Sequence, residues 1–131
     1  YQTPCRLWRA LAVAAPLSFL VLIAIRDLGI AEERKFTRLD ERDIRSKVIG
    51  KVITDDAHWS DYFAADSSLV SWSLGRKSLG RWQIRNSELC ITEEDGGSTC
   101  YQVWMAGEEI SLRLEGVEPT FTGYLRKHEG Q

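Results

Sequence analysis

The chain has 131 residues, of which 44% are hydrophobic and 27% charged, a composition that fits one folded domain with one further element and excludes a disordered chain. Residues 10–25 carry no charge, whereas residues 32–131 hold 14 of the 17 basic and 18 of the 19 acidic side chains and have a net charge of −4. A nucleic-acid-binding domain needs a basic face for its phosphate contacts. We therefore expect no nucleic-acid partner.

Residues 1–31 are predicted to form an N-terminal membrane anchor. Arg6 and Arg9 precede the uncharged run, and Arg26 follows it. As a helix the run would rise about 24 Å. Apolar flanks and a snorkelling Arg26 extend this length into the range that spans a bilayer. The alternative is a signal peptide that is cleaved near the small residues 29–31.

The basic residues before the run predict the topology of this anchor, because such residues stay in the cytoplasm. We expect a single transmembrane helix in the bacterial inner membrane, with a cytoplasmic N-terminus and a periplasmic C-terminal domain. Small residues in such a helix allow close approach of neighbouring helices. The partners expected are the lipid bilayer and an integral membrane protein complex. The predicted helix contacts are Leu11, Ala12, Ala15, Pro16, Ser18, Phe19, Leu20 and Ile23.

The residues after the anchor predict a linker followed by a folded domain. Residues 32–39 are rich in charge and are assigned to the linker, and residues 40–131 to a periplasmic β domain. Asp40 is a favourable N-cap for a short helix over residues 41–49, which Gly50 would end.

Beyond the helix, apolar and polar residues alternate with the period of a β-strand. Short strands joined by tight turns predict an antiparallel meander that forms either a small closed barrel or a strongly curled sheet. The fold class expected is therefore mainly β, with the short helix plugging one end or covering an edge. The predicted strands are 51–54, 59–64, 69–74, 79–85, 88–92, 99–105, 109–114 and 120–126.

Three cysteines are present, and two of them are predicted to form a disulfide. Cys90 and Cys100 flank one predicted turn, and pairing them directly opposite each other places both within disulfide reach. The periplasm permits this bond. A redox-active pair is disfavoured, because the two cysteines lack the Cys-x-x-Cys spacing. Cys5 precedes the apolar run and is expected to stay outside the pair.

The acidic cluster of Asp55, Asp56, His58 and Asp61 is the densest group of potential metal ligands in the sequence. Its spacing matches neither a zinc signature nor a calcium loop. The pattern is more typical of aspartates in a turn between strands. No nucleophile motif accompanies His58. We expect no metal, no cofactor and no catalytic residues.

A group of basic residues, Arg76, Lys77, Arg81 and Arg85, lies on one predicted hairpin. Such a group usually forms a solvated face. The functional alternative is a contact with anionic lipid headgroups or with an acidic partner surface.

Aromatic residues are spread along the predicted strands, and Gly80-Arg81-Trp82 is similar to the Gly-x-Trp of lipocalin-type barrels. Eight short strands enclose an interior just wide enough for side chains to fill it or for one small ligand. We expect aromatic residues to fill the core, with a ligand cavity as the alternative. The residues concerned are Trp59, Trp72, Trp82 and Phe121.

Four motifs stand out in the folded part of the sequence: Ile49-Gly50-Lys51-Val52-Ile53, Trp59-Ser60-Asp61-Tyr62-Phe63-Ala64-Ala65-Asp66, Gly80-Arg81-Trp82, and the pair formed by Leu89-Cys90 and Cys100. Together they resemble a family of small periplasmic domains of unknown function that is common in alphaproteobacteria. The resemblance covers roughly residues 41–126 and implies a periplasmic β domain without implying an activity. Ser67 departs from the family pattern, in which a glycine usually follows Asp66.

These observations together favour a non-catalytic, single-pass accessory subunit of a larger bacterial inner-membrane complex, photosynthetic or respiratory. The subunit would brace that complex from the periplasmic side. The alternative is a periplasmic β-barrel binding module for a small ligand, or an enzyme inhibitor.

Overall fold

A computed structural model describes residues 34–118 and 121–130 of the chain. Within these ranges the chain forms one short helix and nine strands. The elements are β1 (Thr37–Arg38), α1 (Glu41–Lys47), β2 (Lys51–Thr54), β3 (Trp59–Phe63), β4 (Ser68–Ser73), β5 (Arg76–Arg85), β6 (Glu88–Thr92), β7 (Ser98–Ala106), β8 (Glu109–Arg113) and β9 (Phe121–Lys127).

Strands β2 to β9 form a closed, eight-stranded antiparallel barrel. Each strand pairs with its neighbours in the sequence, and β9 pairs with β2 to complete the circle. The expectation of a mainly β meander is confirmed, and of the two forms predicted the molecule adopts the barrel. The largest difference in strand bounds is at β5, which begins at Arg76 instead of residue 79 because the turn before it consists only of Leu74 and Gly75.

The longest strands bend so that each pairs with different partners along its length. The first half of β5 pairs with β4 and the second half with β6, and the change occurs at Arg81. Gly80 lies at this bend, where a Cβ atom would be 2.5 Å from the carbonyl oxygen of Thr92. Gly123 has the same role in β9, because a Cβ there would be 2.7 Å from the carbonyl oxygen of Thr54. Glycine therefore permits the tight corners that close the barrel.

Residues 37–39, which the charge pattern assigns to the linker, belong to the folded domain. Thr37 and Arg38 pair with β7. The backbone N–H of Leu39 donates a 2.8 Å hydrogen bond to the carbonyl oxygen of Val103, and the Leu39 side chain is buried. Two residues give too short a pattern to mark a strand, and it is the exposed edge of β7 that orders them.

Helix α1 closes one end of the barrel. Asp40 is its N-cap, as predicted, and its side-chain oxygen accepts a 2.8 Å hydrogen bond from the N–H of Asp43. The helix ends at Lys47, two residues before the predicted end. Ile44 and Val48 are fully buried and join the hydrophobic core.

The hydrophobic core fills the barrel at the α1 end. The indole N–H of Trp82 donates a 2.8 Å hydrogen bond to the carbonyl oxygen of Ala64, so this buried tryptophan has no unpaired polar group. Ser67, in the turn after Ala64, has φ +71°, a left-handed conformation that glycine favours. The turn therefore keeps this conformation although serine stands where the resembled family usually has glycine. The buried core residues are Leu39, Ile44, Val48, Ile53, Phe63, Leu69, Trp82, Ile84, Leu89, Val103, Ile110 and Leu112.

The predicted disulfide is confirmed: Cys90 and Cys100 are bonded. They lie directly opposite each other in β6 and β7, in the same register that pairs Thr92 with Ser98. The bond therefore fixes the β6–β7 hairpin next to its turn. Cys5 lies outside the described residues.

Replacing both cysteines, Cys90→Ala with Cys100→Ala, should lower the free energy of unfolding by about 2 kcal/mol, because a short closed loop constrains the unfolded chain. Urea unfolding of the full chain measures this difference, and Cys5→Ala is the control. Thiol labelling after denaturation without reductant should find one reactive cysteine per chain. Two or three reactive thiols would contradict the bond.

Candidate functional site: a cavity at the open end of the barrel

The end of the barrel opposite α1 contains a cavity of about 510 Å³. Its walls come from the ends of the strands that meet the β2–β3, β4–β5 and β6–β7 turns and from the start of β9. This volume lies in the range of about 300–1,000 Å³ that is typical of small-molecule sites. The lining residues are Trp59, Asp61, Leu69, Ser71, Trp72, Ser73, Ser78, Leu79, Gly80, Ile91, Glu93, Glu94, Asp95, Tyr101, Leu112 and Phe121.

One wall of the cavity is aromatic. The ring of Phe121 packs edge-on against Trp59, with 6.2 Å between ring centroids, and against Tyr101, at 5.9 Å. Phe121 is 44% exposed, so a large part of its ring faces the opening. A half-exposed aromatic cluster inside a barrel presents apolar area that a ligand can cover.

A second wall, formed by β3, β4 and β5, is polar. Asp61 of β3 lies directly across from Ser71 of β4, which in turn pairs with Ser78 of β5. Burial raises the pKa of Asp61, the negative charge of Glu93 raises it further, and interaction with the Ser71 hydroxyl partly offsets both effects. A carboxyl group in such surroundings is a common mark of a functional site.

The rim of the cavity is acidic. Glu93, Glu94 and Asp95 line it from the β6–β7 turn, and the backbone N–H of Gly97 donates a 2.8 Å hydrogen bond to Asp95. Within the described part of the chain, no basic side chain lines the cavity. The negative potential of the interior is therefore not neutralised by its own walls.

The β2–β3 turn holds Trp59 in the aromatic wall. One side-chain oxygen of Asp55 accepts hydrogen bonds from the backbone N–H groups of Ala57, His58 and Trp59, at 3.0, 2.7 and 3.0 Å. The hydroxyl of Thr54 also donates to the carbonyl oxygen of Trp59, at 2.6 Å. The bond from Trp59 is the largest cause of a pKa of Asp55 well below its ordinary value, and the bonds from His58 and Ala57 add to it.

The residues of the acidic cluster therefore make three different sets of contacts. Asp55 organises its own turn and contacts the His58 ring, Asp56 pairs with Arg126 at 2.7 Å, and Asp61 lies in the barrel. Across residues 34–118 and 121–130 no group of three or more histidine, cysteine or acidic side chains lies close enough together to hold a metal ion.

The four aromatic residues that were expected in the core or in a cavity lie in two different places. Trp82 is buried in the core, whereas Trp59, Trp72 and Phe121 line the cavity. Sequence reasoning missed Tyr101 and the serines as lining residues. It also missed that Asp61 faces inward, although its place between Trp59 and Phe63 on one strand face is a signal that alternation contains.

The basic residues of β5 do not form one compact patch. Lys77, Arg81 and Arg85 lie on the outer face of the strand, and Lys77 and Arg85 are about 26 Å apart along it. Arg76 takes the other face at the hairpin end. All four are exposed, and the Lys77 ammonium lies over the Trp72 ring, 5.8 Å from its centroid. Their predicted contact with lipid or a partner stays a prediction.

Comparison of the chain with protein-family models, with curated proteins and with solved structures finds no match. The resemblance to small periplasmic domains therefore stays a prediction. Among the described residues, no helix has the length and apolar character needed to cross a membrane. The predicted anchor, residues 1–31, and its helix contacts lie outside the described residues.

Replacing Asp55 with alanine should destabilise the protein most at neutral pH. A carboxylate with a lowered pKa contributes stability above the unfolded-state value of about 3.9, and this contribution is lost as the pH falls below it. The gap in unfolding free energy between wild type and Asp55→Ala should therefore narrow from pH 7 to pH 3 in urea titrations. Glu115→Ala controls for the change in net charge. A gap independent of pH would contradict this role.

Proposed function

We propose that the domain is a non-catalytic binding module that receives one small ligand in the open end of its barrel. The observation that supports this most strongly is the cavity of about 510 Å³ inside a barrel whose other end is fully packed. The interior of an eight-stranded barrel can be filled by side chains alone. Here serines and a glycine stand where larger side chains would fill the space.

The chemistry of the walls supports a ligand rather than a solvent-filled depression. The aromatic wall of Trp59, Tyr101 and Phe121 offers apolar contact area, and Asp61, Ser71 and Ser78 offer polar groups in the same cavity. Binding sites combine these two features, because apolar area supplies affinity while a few polar groups orient the ligand.

A cavity-filling substitution tests this function. Ser78 lies on the inner face of β5 and lines the cavity. Ser78→Phe should weaken binding of 1-naphthylmethanol, a neutral apolar probe, by about tenfold or more, which is about 1.4 kcal/mol, because the added ring takes up volume that the probe needs. Gln83→Phe is the matched control, since it adds the same ring to the exposed outer face of the same strand. Titration calorimetry on the full chain in mild detergent measures both, with detergent alone as the blank.

Two results would refute the binding function. One is that the wild-type chain binds no naphthalene probe above the detergent blank. The other is that Ser78→Phe and Gln83→Phe have equal effects, because binding would then lie outside the cavity. Circular dichroism confirms that both variants keep the β fold.

An accessory subunit of a bacterial inner-membrane complex, photosynthetic or respiratory, is the second candidate, and the β4–β5 hairpin favours it. Leu74 is 80% exposed at the tip of this hairpin and has φ +48°, a conformation unfavourable for leucine. Trp72 and Leu79 are also exposed beside it. Exposed apolar residues held in this way are typical of a surface that contacts a partner. This subunit would be anchored through residues 1–31 and would brace the complex from the periplasmic side.

Native gel migration of the membrane-extracted chain tests the second candidate. The wild-type chain should migrate with a large complex, and the triple variant Trp72→Ser, Leu74→Ser, Leu79→Ser should shift to the monomer position, because it loses its apolar contact. Val117→Ser, which removes an exposed apolar residue elsewhere, should leave migration unchanged. A wild-type chain that runs as a monomer in mild detergent would exclude the subunit role.

A further inference from the structure

We propose that the ligand of the cavity is an organic cation, an amine with an aromatic or apolar body whose ammonium group lies beside Asp61. This inference rests on the proposed binding function and assigns the class of ligand. It combines three properties of the cavity: the sign of its charge, the position of its aromatic wall and its hydroxyl groups.

The sign of the charge disfavours an anionic ligand and favours a cation. Asp61 lies inside the cavity, and Glu93, Glu94 and Asp95 line its rim. The described lining residues include no arginine, lysine or histidine, so no basic side chain contacts a ligand there directly. A cleft with walls of one charge sign and a low-dielectric interior concentrates ligands of the opposite sign.

The aromatic wall suits both parts of such a ligand. Trp59, Tyr101 and Phe121 form one continuous cluster of rings, and together with Leu112 they can cover an apolar body. The face of a tryptophan or tyrosine ring also attracts a cation within about 6 Å of its centroid. A neutral apolar ligand would use the rings and leave the carboxyl group of Asp61 without a partner of opposite charge.

The polar wall fixes the place of the ammonium group. An ammonium group is a donor of three hydrogen bonds. Asp61, Ser71 and Ser78 stand side by side on three adjacent strands, and all three can accept. The carboxylate would supply charge and the two hydroxyls would complete the donor's bonds. A bare metal ion fits less well, because in the described residues no three histidine, cysteine or acidic side chains converge.

A matched series of naphthalene probes tests the ligand class. The series is 1-naphthylmethylamine, 1-naphthylmethanol and 1-naphthoate, which share one ring system and differ in charge. On the full chain in mild detergent at pH 7, we expect the amine to bind about tenfold or more tightly than the alcohol, since a close charge pair adds to the shared apolar contact. The carboxylate should bind most weakly.

Asp61→Asn separates the role of the charge from a structural role. The variant should weaken amine binding by about tenfold or more and leave alcohol binding within about twofold, because the amide keeps the shape and loses the charge. Glu88→Gln, at the closed end of β6, removes one negative charge away from the cavity and should change neither affinity.

The outcomes distinguish this inference from the function on which it rests. If no probe binds, the binding function itself fails. If the alcohol or the carboxylate binds as tightly as the amine, the function stands and the cationic ligand is refuted. Equal losses for amine and alcohol in Asp61→Asn, or an equal loss of amine affinity in Glu88→Gln, would also refute the charge pair.

Discussion

The closure of the barrel is the constraint on which the rest of the structure depends. Eight strands form a closed ring only because β9 pairs with β2 and because the longest strands bend sharply. The bends at Gly80 and Gly123 bring one strand's backbone so close to the next that no side chain fits between them. Closure removes the exposed edges that an open sheet of this size would carry, and it creates an interior with two ends.

The two ends of that interior differ because the chain enters the barrel at one of them. Helix α1 directly precedes β2, so its buried residues Ile44 and Val48 fill the near end. No element of comparable size covers the far end in the described residues, where only turns meet. The Asp55 turn gives this end its rigidity, because three backbone N–H groups converge on one carboxylate oxygen. The open end therefore contains a cavity, and the Asp55 turn holds one of its walls in place.

The position of Asp61 also follows from closure. In an open sheet this side chain would face water, and its carboxylate would remain solvated. In the barrel it is largely buried, and it also feels the negative charge of Glu93, so its pKa rises. Transfer of a charged group into such surroundings opposes folding. Interaction with the Ser71 hydroxyl offsets this cost only in part, and a cationic ligand would offset more of it, which is why Asp61 directs the choice of ligand class.

Local patterns in the sequence determined most of the secondary structure and the disulfide. Strand alternation, the N-cap at Asp40 and the spacing of Cys90 and Cys100 are short-range signals, and the structure retains each of them. The choice between a barrel and a curled sheet depended on the pairing of β9 with β2, which lie about 70 residues apart in the chain. Alternation assigns a residue to a face but gives no information on whether that face encloses a cavity.

Tertiary structure alone decided the secondary structure and the location of residues whose sequence patterns are ambiguous. Thr37 and Arg38 became a strand because β7 offered an edge beyond the end of β6. Trp59 and Trp82 are both aromatic residues on inward-facing strand positions, yet one lines the cavity and the other the core, because they stand at opposite ends of the barrel. The alternation in the sequence separated the two faces of each strand, but it did not show that Asp61 and Ser71 face inward. The position of α1 in the closed barrel decided which inward-facing residues join the core and which line the cavity.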